Sequence, residues 1–334
     1  MLPAMSAPLR FGILGAARIA PPALVRPARE VAGVELRAVA ARDAERGRVF
    51  ATKHGIPVVH TSYEALLADP EIDAVYNPLP NGLHGLWTKR ALRAGKHVLC
   101  EKPFTANAEE ARAVAGAAKQ TGRFVMEAFH WRYHPLAARM LEILASGEIG
   151  ELRHVEAQLC APLLNTRDIR YRPELAGGAA MDMGCYALHF VRTLGVAEPR
   201  VTAARAKLLA PGVDRAMEIE LAFPNGATGR AVCSMLSWRL LAASGRIEGT
   251  RGRMRILNPW APHLFHRLRV ETPAGSRSER VAGRATYTHQ LEAFVRAVRE
   301  GVPVPTGTDD AIANMTLINA AYSKAGLEPR APSR

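Results

Sequence analysis

Cysteine is scarce in this 334-residue chain, and its placement excludes two chemistries. Cys100, Cys160, Cys185 and Cys233 lie far apart, with no CxxC pair and no histidine at metal-ligand spacing. A disulfide framework or a zinc site needs tighter clustering, so the thiols are read as reduced and mostly buried, and no metal is expected. Long apolar runs are missing too: charge interrupts each one before membrane-spanning length, leaving no candidate transmembrane helix. The opening MLPAMSAPLR lacks the apolar centre of a secretory signal, so the expected location is cytoplasmic. Lysine is sparse and aromatics make up only 6% of residues. No basic run is interleaved with aromatics, and no helix carries a one-sided basic stripe. A formal charge of +13 therefore does not by itself point to nucleic acid or a membrane. What is present is ordinary for a globular protein: 48% hydrophobic and 22% charged residues, enough to bury a sizeable core.

The first third alternates short apolar runs with amphipathic stretches. Strands are expected at Leu9–Leu14, Val34–Ala41, Ile72–Asn77, Lys96–Cys100 and Phe124–Ala128, with helices at Asp43–His54, Ser62–Asp69, Leu83–Ala94 and Asn107–Thr121. Buried strands alternating with helices imply crossover units, hence a doubly wound parallel sheet. After about residue 130 the pattern changes. A helix at Pro135–Ser146, a strand at Leu152–Leu159 and a helix at Gly178–Leu194 precede a series of strands. These are Val201–Leu208, Ala216–Phe223, Thr228–Trp238, Ser244–Glu248, Arg253–Leu257 and Leu264–Glu271, with helices at Thr288–Glu300 and Asp309–Lys324 closing the chain. Consecutive strands with turns such as Pro224-Asn225-Gly226 indicate an antiparallel sheet. The expected fold is α/β: a dinucleotide-binding domain over residues 1–130 and an α+β domain with an open antiparallel sheet over 131–334.

The first strand runs into Gly15-Ala16-Ala17-Arg18-Ile19-Ala20. Gly15, Ala17 and Ala20 fit the three small positions of a dinucleotide fingerprint, although a close-packed turn without nucleotide fits equally well, and Pro21-Pro22 should cut the helix short. The second strand ends in Arg42-Asp43. Arginine there suits the 2′-phosphate of NADP, with NAD as the alternative, while Asp43 is placed to cap the next helix. Asn77-Pro78-Leu79-Pro80-Asn81 and Glu101-Lys102-Pro103 follow strand ends, where ligands of such sheets bind. His84 reads either as a cofactor contact or as a surface histidine.

Asp182, Tyr186 and His189 sit at i, i+4 and i+7 of one helix and share a face. On residues alone, a catalytic set and a polar seam between domains both remain open. Before this helix, Arg167, Arg170 and Arg172 could clamp a substrate anion or form a solvated loop beside Tyr171. Trp131 and Arg132, with His134, open the second domain, as cleft lining or, for Trp131, as interdomain packing.

Four motifs occur in order: Gly15-Ala-Ala-Arg-Ile-Ala, Pro78-Leu-Pro-Asn81-x-x-His84, Glu101-Lys102-Pro103 and Gly177-Gly-x-x-x-Asp182-x-Gly-x-Tyr186. Together they resemble the glucose–fructose oxidoreductase / inositol dehydrogenase / MocA family, over nearly the whole chain and most closely its dihydrodiol and xylose dehydrogenase branch. The resemblance implies a Rossmann domain and an open-faced sheet domain, paired across that sheet in dimers or tetramers. It also implies a nicotinamide cofactor contacted by Gly15, Ala17, Arg18, Ile19, Arg42, Asn77, Pro78, Leu79, Asn81, His84, Glu101 and Lys102. Lys102, Asp182 and Tyr186 become the catalytic set; Trp131, Arg132, Arg167, Arg170, Tyr171 and His189 become substrate contacts. Tyr186 stands where many members place a catalytic histidine, which disfavours inositol as substrate. The implied activity is hydride exchange with a sugar, sugar derivative or cyclic diol. The rivals are a sugar-cleaving enzyme with transient redox and a cofactor-sensing protein, which would not need all three catalytic residues. In the expected mechanism Lys102 lowers the pKa of Tyr186, which carries the proton, and Asp182 orients the substrate.

Overall fold

A computed structural model describes residues 7–236 and 241–333. Six strands form a parallel sheet: β1 (Leu9–Leu14), β2 (Val34–Ala40), β3 (Val58–His60), β4 (Ala74–Asn77), β5 (His97–Cys100) and β6 (Val125–Glu127), ordered 3-2-1-4-5-6. Their near-continuous apolar runs are buried because helices cover both faces. The order reverses between β1 and β4, so the loops after those strands open a crevice at the sheet's carboxyl edge. Helices α1 (Arg26–Glu30), α2 (Ala44–His54), α3 (Tyr63–Ala68), α4 (Asn81–Arg93) and α5 (Ala108–Thr121) fill the crossovers.

Pro21 and Pro22 do not shorten the first helix. They stand at its start, in a π-type turn at Pro21–Val25 that runs into α1. A proline lacks only a donor that the first turn leaves unpaired anyway. Asp43 does cap α2, accepting from the Arg46 backbone at 3.0 Å. β3 escaped the sequence reading because it is only three residues long.

The second sheet has eight strands: β7 (Leu152–Cys160), β8 (Arg200–Ala210), β9 (Val213–Ala222), β10 (Thr228–Ser234), β11 (Ala242–Gly249), β12 (Arg253–Leu257), β13 (Arg267–Thr272) and β14 (Gly275–Glu279). It is mixed rather than wholly antiparallel. β10 pairs parallel with β7, because a helical crossover separates them in sequence, and the other pairings are antiparallel. Ser237 and Trp238, the end of one expected strand, lie outside the described residues. β14 is exposed and carries no apolar alternation, so nothing in its sequence marked it.

One face of this sheet packs on α7 (Cys185–Gly195) and α9 (Thr308–Lys324), while α6 (Pro135–Ala145) flanks α7 and α8 (Thr286–Glu300) packs beside α1. All four cysteines are buried and none forms a disulfide among the described residues. Among the described residues no helix is long and apolar enough to cross a membrane, and no group of three or more His, Cys, Asp or Glu could hold a metal.

Candidate active site

The turn after β1 is shaped by Gly15, whose φ of +87° favours glycine. Its N–H donates to the Ala40 carbonyl at 2.7 Å, and a Cβ would stand 3.2 Å from Leu79. The bare backbone at this turn suits the close approach of a pyrophosphate. Ala17 and Ile19 are half-buried and Arg18 is exposed around it. Arg42 is exposed at the end of β2. One turn further, Arg46 donates to the Ala16 carbonyl at 2.8 Å, placing a second guanidinium against the same turn. The sequence signal for Arg46 was its place in the first turn of α2, and it was missed.

Two expected cofactor contacts turn out to build the crevice wall. Asn77 is fully buried and donates to the His84 carbonyl and to Thr88. His84 is neither a surface residue nor an open contact. Its ring is buried, with Nδ1 2.7 Å from the Pro103 carbonyl and Nε2 2.6 Å from that of Leu79. It staples the loop after β4 to the loop after β5, and burial lowers its pKa to about 4. Pro78 and Leu79 are buried in that wall. Asn81 opens α4 and donates to the Ala176 carbonyl at 3.2 Å, tying the parallel-sheet side to the segment that leads to Asp182.

Glu101 is buried, accepting from Tyr76 at 2.7 Å, and burial pushes its pKa up. Next to it, Lys102 reaches from the end of β5 to the helix carrying Asp182. Its Nζ donates to the Asp182 carbonyl at 3.0 Å and to Oδ1 at 3.2 Å. Oδ2 of the same carboxylate meets Arg170 at 3.1 Å, so Asp182 sits between two cations. Burial favours neutral forms of both partners, but their mutual attraction wins: Asp182 is held below the usual carboxylate range and Lys102 above the usual amine range.

Asp182 belongs to a π-type turn, Ala180–Gly184, that precedes α7. The turn starts at Gly178, where φ is +140° and a side chain would collide with Asp214. Asp214, fully buried on β9, accepts from the Ala180 backbone at 2.7 Å, from Tyr322 at 2.9 Å and from Arg330 at 2.6 Å. This anchor was invisible in sequence because its partners are 34 to 116 residues away.

Tyr186, 8% exposed, sits against Phe129 and Trp260, with the Lys102 ammonium 4.9 Å from its ring centre. Lys102 therefore covers the ring face and is no hydrogen-bond partner of the phenol oxygen. Burial raises the Tyr186 pKa well above normal, helped by Tyr287 and Glu101, which reverses the expectation that Lys102 keeps it acidic. The phenol's hydrogen-bond partner is His130, at 3.0 Å, which the sequence reading passed over.

The expected substrate contacts separate. Arg170 belongs to the site through Asp182, whereas Arg167 and Arg172 are exposed without contact to it. Tyr171 is buried, donating to the Leu163 carbonyl. Trp131 is 1% exposed and packs on Trp260 and Phe190, so its ring is buried among residues of the second domain and is neither cleft lining nor the expected interdomain packing. Arg132 is half-buried, and His134 caps α6. His189 is fully buried, 3.0 Å from Asp310 and stacked on Phe129, so it supports the ring that supports Tyr186 and has no surface for substrate.

Residues 9–129 match the model of an oxidoreductase family with an NAD-binding Rossmann fold, and residues 137–255 match the GFO/IDH/MocA C-terminal domain. A D-xylose 1-dehydrogenase (NADP+) of Haloferax volcanii is 37% identical over 95% of this chain and 97% of its own. A trans-1,2-dihydrobenzene-1,2-diol dehydrogenase of Sus scrofa is 36% identical over 67% of each chain. A crystal structure of a 3-ketoreductase from Actinomadura kijaniata, in complex with NADP and TDP-benzene, superposes with a TM-score of 0.89. It is 28% identical, covering 95% of this chain and 98% of that one.

Proposed function

The chain belongs to the glucose–fructose oxidoreductase / inositol dehydrogenase / MocA oxidoreductase family, and from that membership we propose that it moves hydride between NADP and a sugar, sugar derivative or cyclic diol. One observation carries the reading: half-buried Lys102 pairs with Asp182 and sets its ammonium 4.9 Å over the ring of Tyr186, at the edge where the nucleotide crevice opens. The cofactor, when bound, supplies or accepts the hydride. Gly15, Ala17, Arg18 and Ile19 receive its pyrophosphate, and Arg42 with Arg46 receives the 2′-phosphate. Pro78, Leu79, Asn81, Glu101 and Lys102 border the nicotinamide end.

Tyr186 moves the proton. Its raised pKa keeps it protonated in the resting protein, which fits it to donate to a carbonyl oxygen during reduction, whereas oxidation needs its phenolate to accept the alcohol proton. Lys102 holds the substrate oxygen, and its charge is fixed in place by Asp182. Arg170 and Asp182 line the substrate side. We place the division between the two domains near residue 130, and the location in the cytoplasm. The outer face of the eight-stranded sheet pairs with a second copy.

A panel of aldoses, cyclic diols and nucleotide-linked ketosugars, read by nicotinamide absorbance with each cofactor, tests the activity. Stoichiometric absorbance change on one class is expected. Product formation with none would mean that redox is transient, and no turnover of any class would remove the reading.

A further inference from the structure

His130 is the hydrogen-bond partner of the Tyr186 phenol, and the chemistry above gives it no task. It begins the single turn His130–Tyr133 after β6 and is 6% exposed. Its Nε2 lies 3.0 Å from Tyr186 Oη and its Nδ1 2.8 Å from Thr286 Oγ1, and Tyr287 packs on its ring at 4.0 Å. Burial, with Lys102 and His263 adding repulsion, brings its pKa down to about 3. The ring is therefore neutral, with one N–H and one lone pair.

Thr286 decides which nitrogen holds the proton. It is fully buried, and among the described residues its hydroxyl meets only His130 Nδ1. A buried hydroxyl hydrogen left without an acceptor is costly, so Thr286 donates to Nδ1. The imidazole proton then sits on Nε2 and donates to the phenol oxygen. That leaves the Tyr186 hydrogen free to point into the cleft.

We propose that His130 is a positioning residue for Tyr186, its Nε2–H aiming the phenol proton at the substrate and holding the phenolate that proton transfer leaves behind. The inference rests on Tyr186 as the proton-transferring group. In reduction the Tyr186 O–H bond breaks, its electron pair stays on Oη, and the proton goes to the substrate oxygen. Oxidation runs the reverse, and no bond of His130 breaks in either direction. The groups facing the phenol are Lys102 over its ring, Glu101 from the end of β5, Tyr287 on α8, and Asp182 and Cys185 on its own helix. None of these is a hydrogen-bond donor to Oη among the described residues, so the one donor to the phenolate is His130.

A donor favours the charged form, so losing it raises the Tyr186 pKa by on the order of one to two units. Two measurements on the NADP-loaded protein test this. Nitrogen-15 spectra of the histidine-labelled protein, with His130 identified by its loss in His130→Gln, should show Nδ1 bare and Nε2 protonated. The opposite tautomer overturns the proposal. The pH profile of kcat/KM for oxidation, with D-xylose and trans-dihydrobenzenediol as probes, gives the second reading. His130→Leu and Thr286→Val should move its ascending limb upward and cut the rate below that limb about tenfold or more, with the NADP Kd unchanged. His130→Gln, whose amide can still donate, should stay near the parent limb. Limbs that do not move in either variant overturn the proposal, even if turnover falls. Tyr186→Phe separates the levels: if it retains turnover, the proton role of Tyr186 fails. If it is inactive while His130→Leu and Thr286→Val keep the parent limb, only the role of His130 fails.

Discussion

At the scale of single residues, the site combines groups that cannot replace one another. Tyr186→Phe removes one oxygen while preserving a ring held by Phe129 and Trp260. It should leave the fold and NADP affinity intact and lower turnover by about 10²-fold or more. Steady-state rates beside a cofactor titration check this, and a variant keeping most of its turnover removes the tyrosine from the mechanism. Lys102→Met probes the charge instead. Asp182 has a depressed pKa, so its contribution to stability is present above its unfolded value and is lost as pH falls through the lower folded value. The variant should therefore unfold at a lower temperature than the parent at neutral pH, and the gap should close in acid, where the carboxyl is protonated in both. A gap independent of pH would mean that the pair is not what holds Lys102. That Lys102, Asp182 and Tyr186 cluster was readable from the motifs, and the structure brings the three together. Their electrostatics were not, because the position of an ammonium over a ring face, rather than beside an oxygen, is a matter of tertiary geometry. His130 shows the same limit: nothing near it in sequence marks Tyr186, 56 positions on, as its partner.

Between residue and molecule lie the elements that hold these groups. The sequence showed a helix around Asp182 and Tyr186 through its apolar spacing, and the helix is there. What spacing could not show is the π-type turn at Ala180–Gly184, which changes the angular relation between Asp182 and the residues of α7. With it, Asp182 faces Lys102 while His189 points back into the core. Asp214 anchors the start of this turn, and it pairs with Arg330 at side-chain exposures of 0% and 7%. Asp214→Ala strips acceptors from the Ala180 N–H, Tyr322 and Arg330 together. Removing one partner of a buried pair costs about 3–5 kcal/mol, so the variant should show a markedly lower denaturation midpoint and a loss of turnover. A midpoint near the parent's would show that the turn has other support. At the other crevice wall, the β2–α2 junction offers Arg42 and Arg46 together. Arg42→Ala should weaken NADP binding about tenfold while leaving NAD nearly untouched, and the double variant should go further. Titration of each cofactor decides; NAD binding at least as tightly as NADP to the parent protein sinks the assignment.

At the scale of the whole molecule, the parallel sheet was legible from its alternating runs, whereas the full width of the second sheet was not. β14 has no apolar residue, and the parallel pairing of β7 with β10 is set by a crossover rather than a local turn. Among the described residues that sheet leaves one broad face without helices, and its charge is unevenly spread. On β12 and β13, Arg255 stands directly across from Arg269, and Arg267 across from Leu257. Like charges placed so are unfavourable on a lone sheet. Towards the other edge, Glu218 and Glu220 are exposed on β9 and Glu156 lies on β7, each with an arginine partner, Arg230 for Glu218 and Glu156 and Arg205 for Glu220. Glu156, Gln158, Arg246, Arg255, Leu257 and Arg269 border a shallow cavity of about 380 Å³ in the middle. A two-fold axis lying in the interface and parallel to the strands would set the Arg255 and Arg269 edge of one copy over the Glu218 and Glu220 edge of the other, each contact occurring twice. The chain should therefore scatter light as a dimer or tetramer at low ionic strength and shift towards monomer as salt screens the contact. Arg255→Glu combined with Arg269→Glu should produce monomer even at low salt. Cofactor binding should survive in that variant, since the nucleotide crevice lies on the other sheet. A parent protein that is monomeric at every concentration, or a double variant that keeps the parent's mass, would rule out this face as the one that joins the copies.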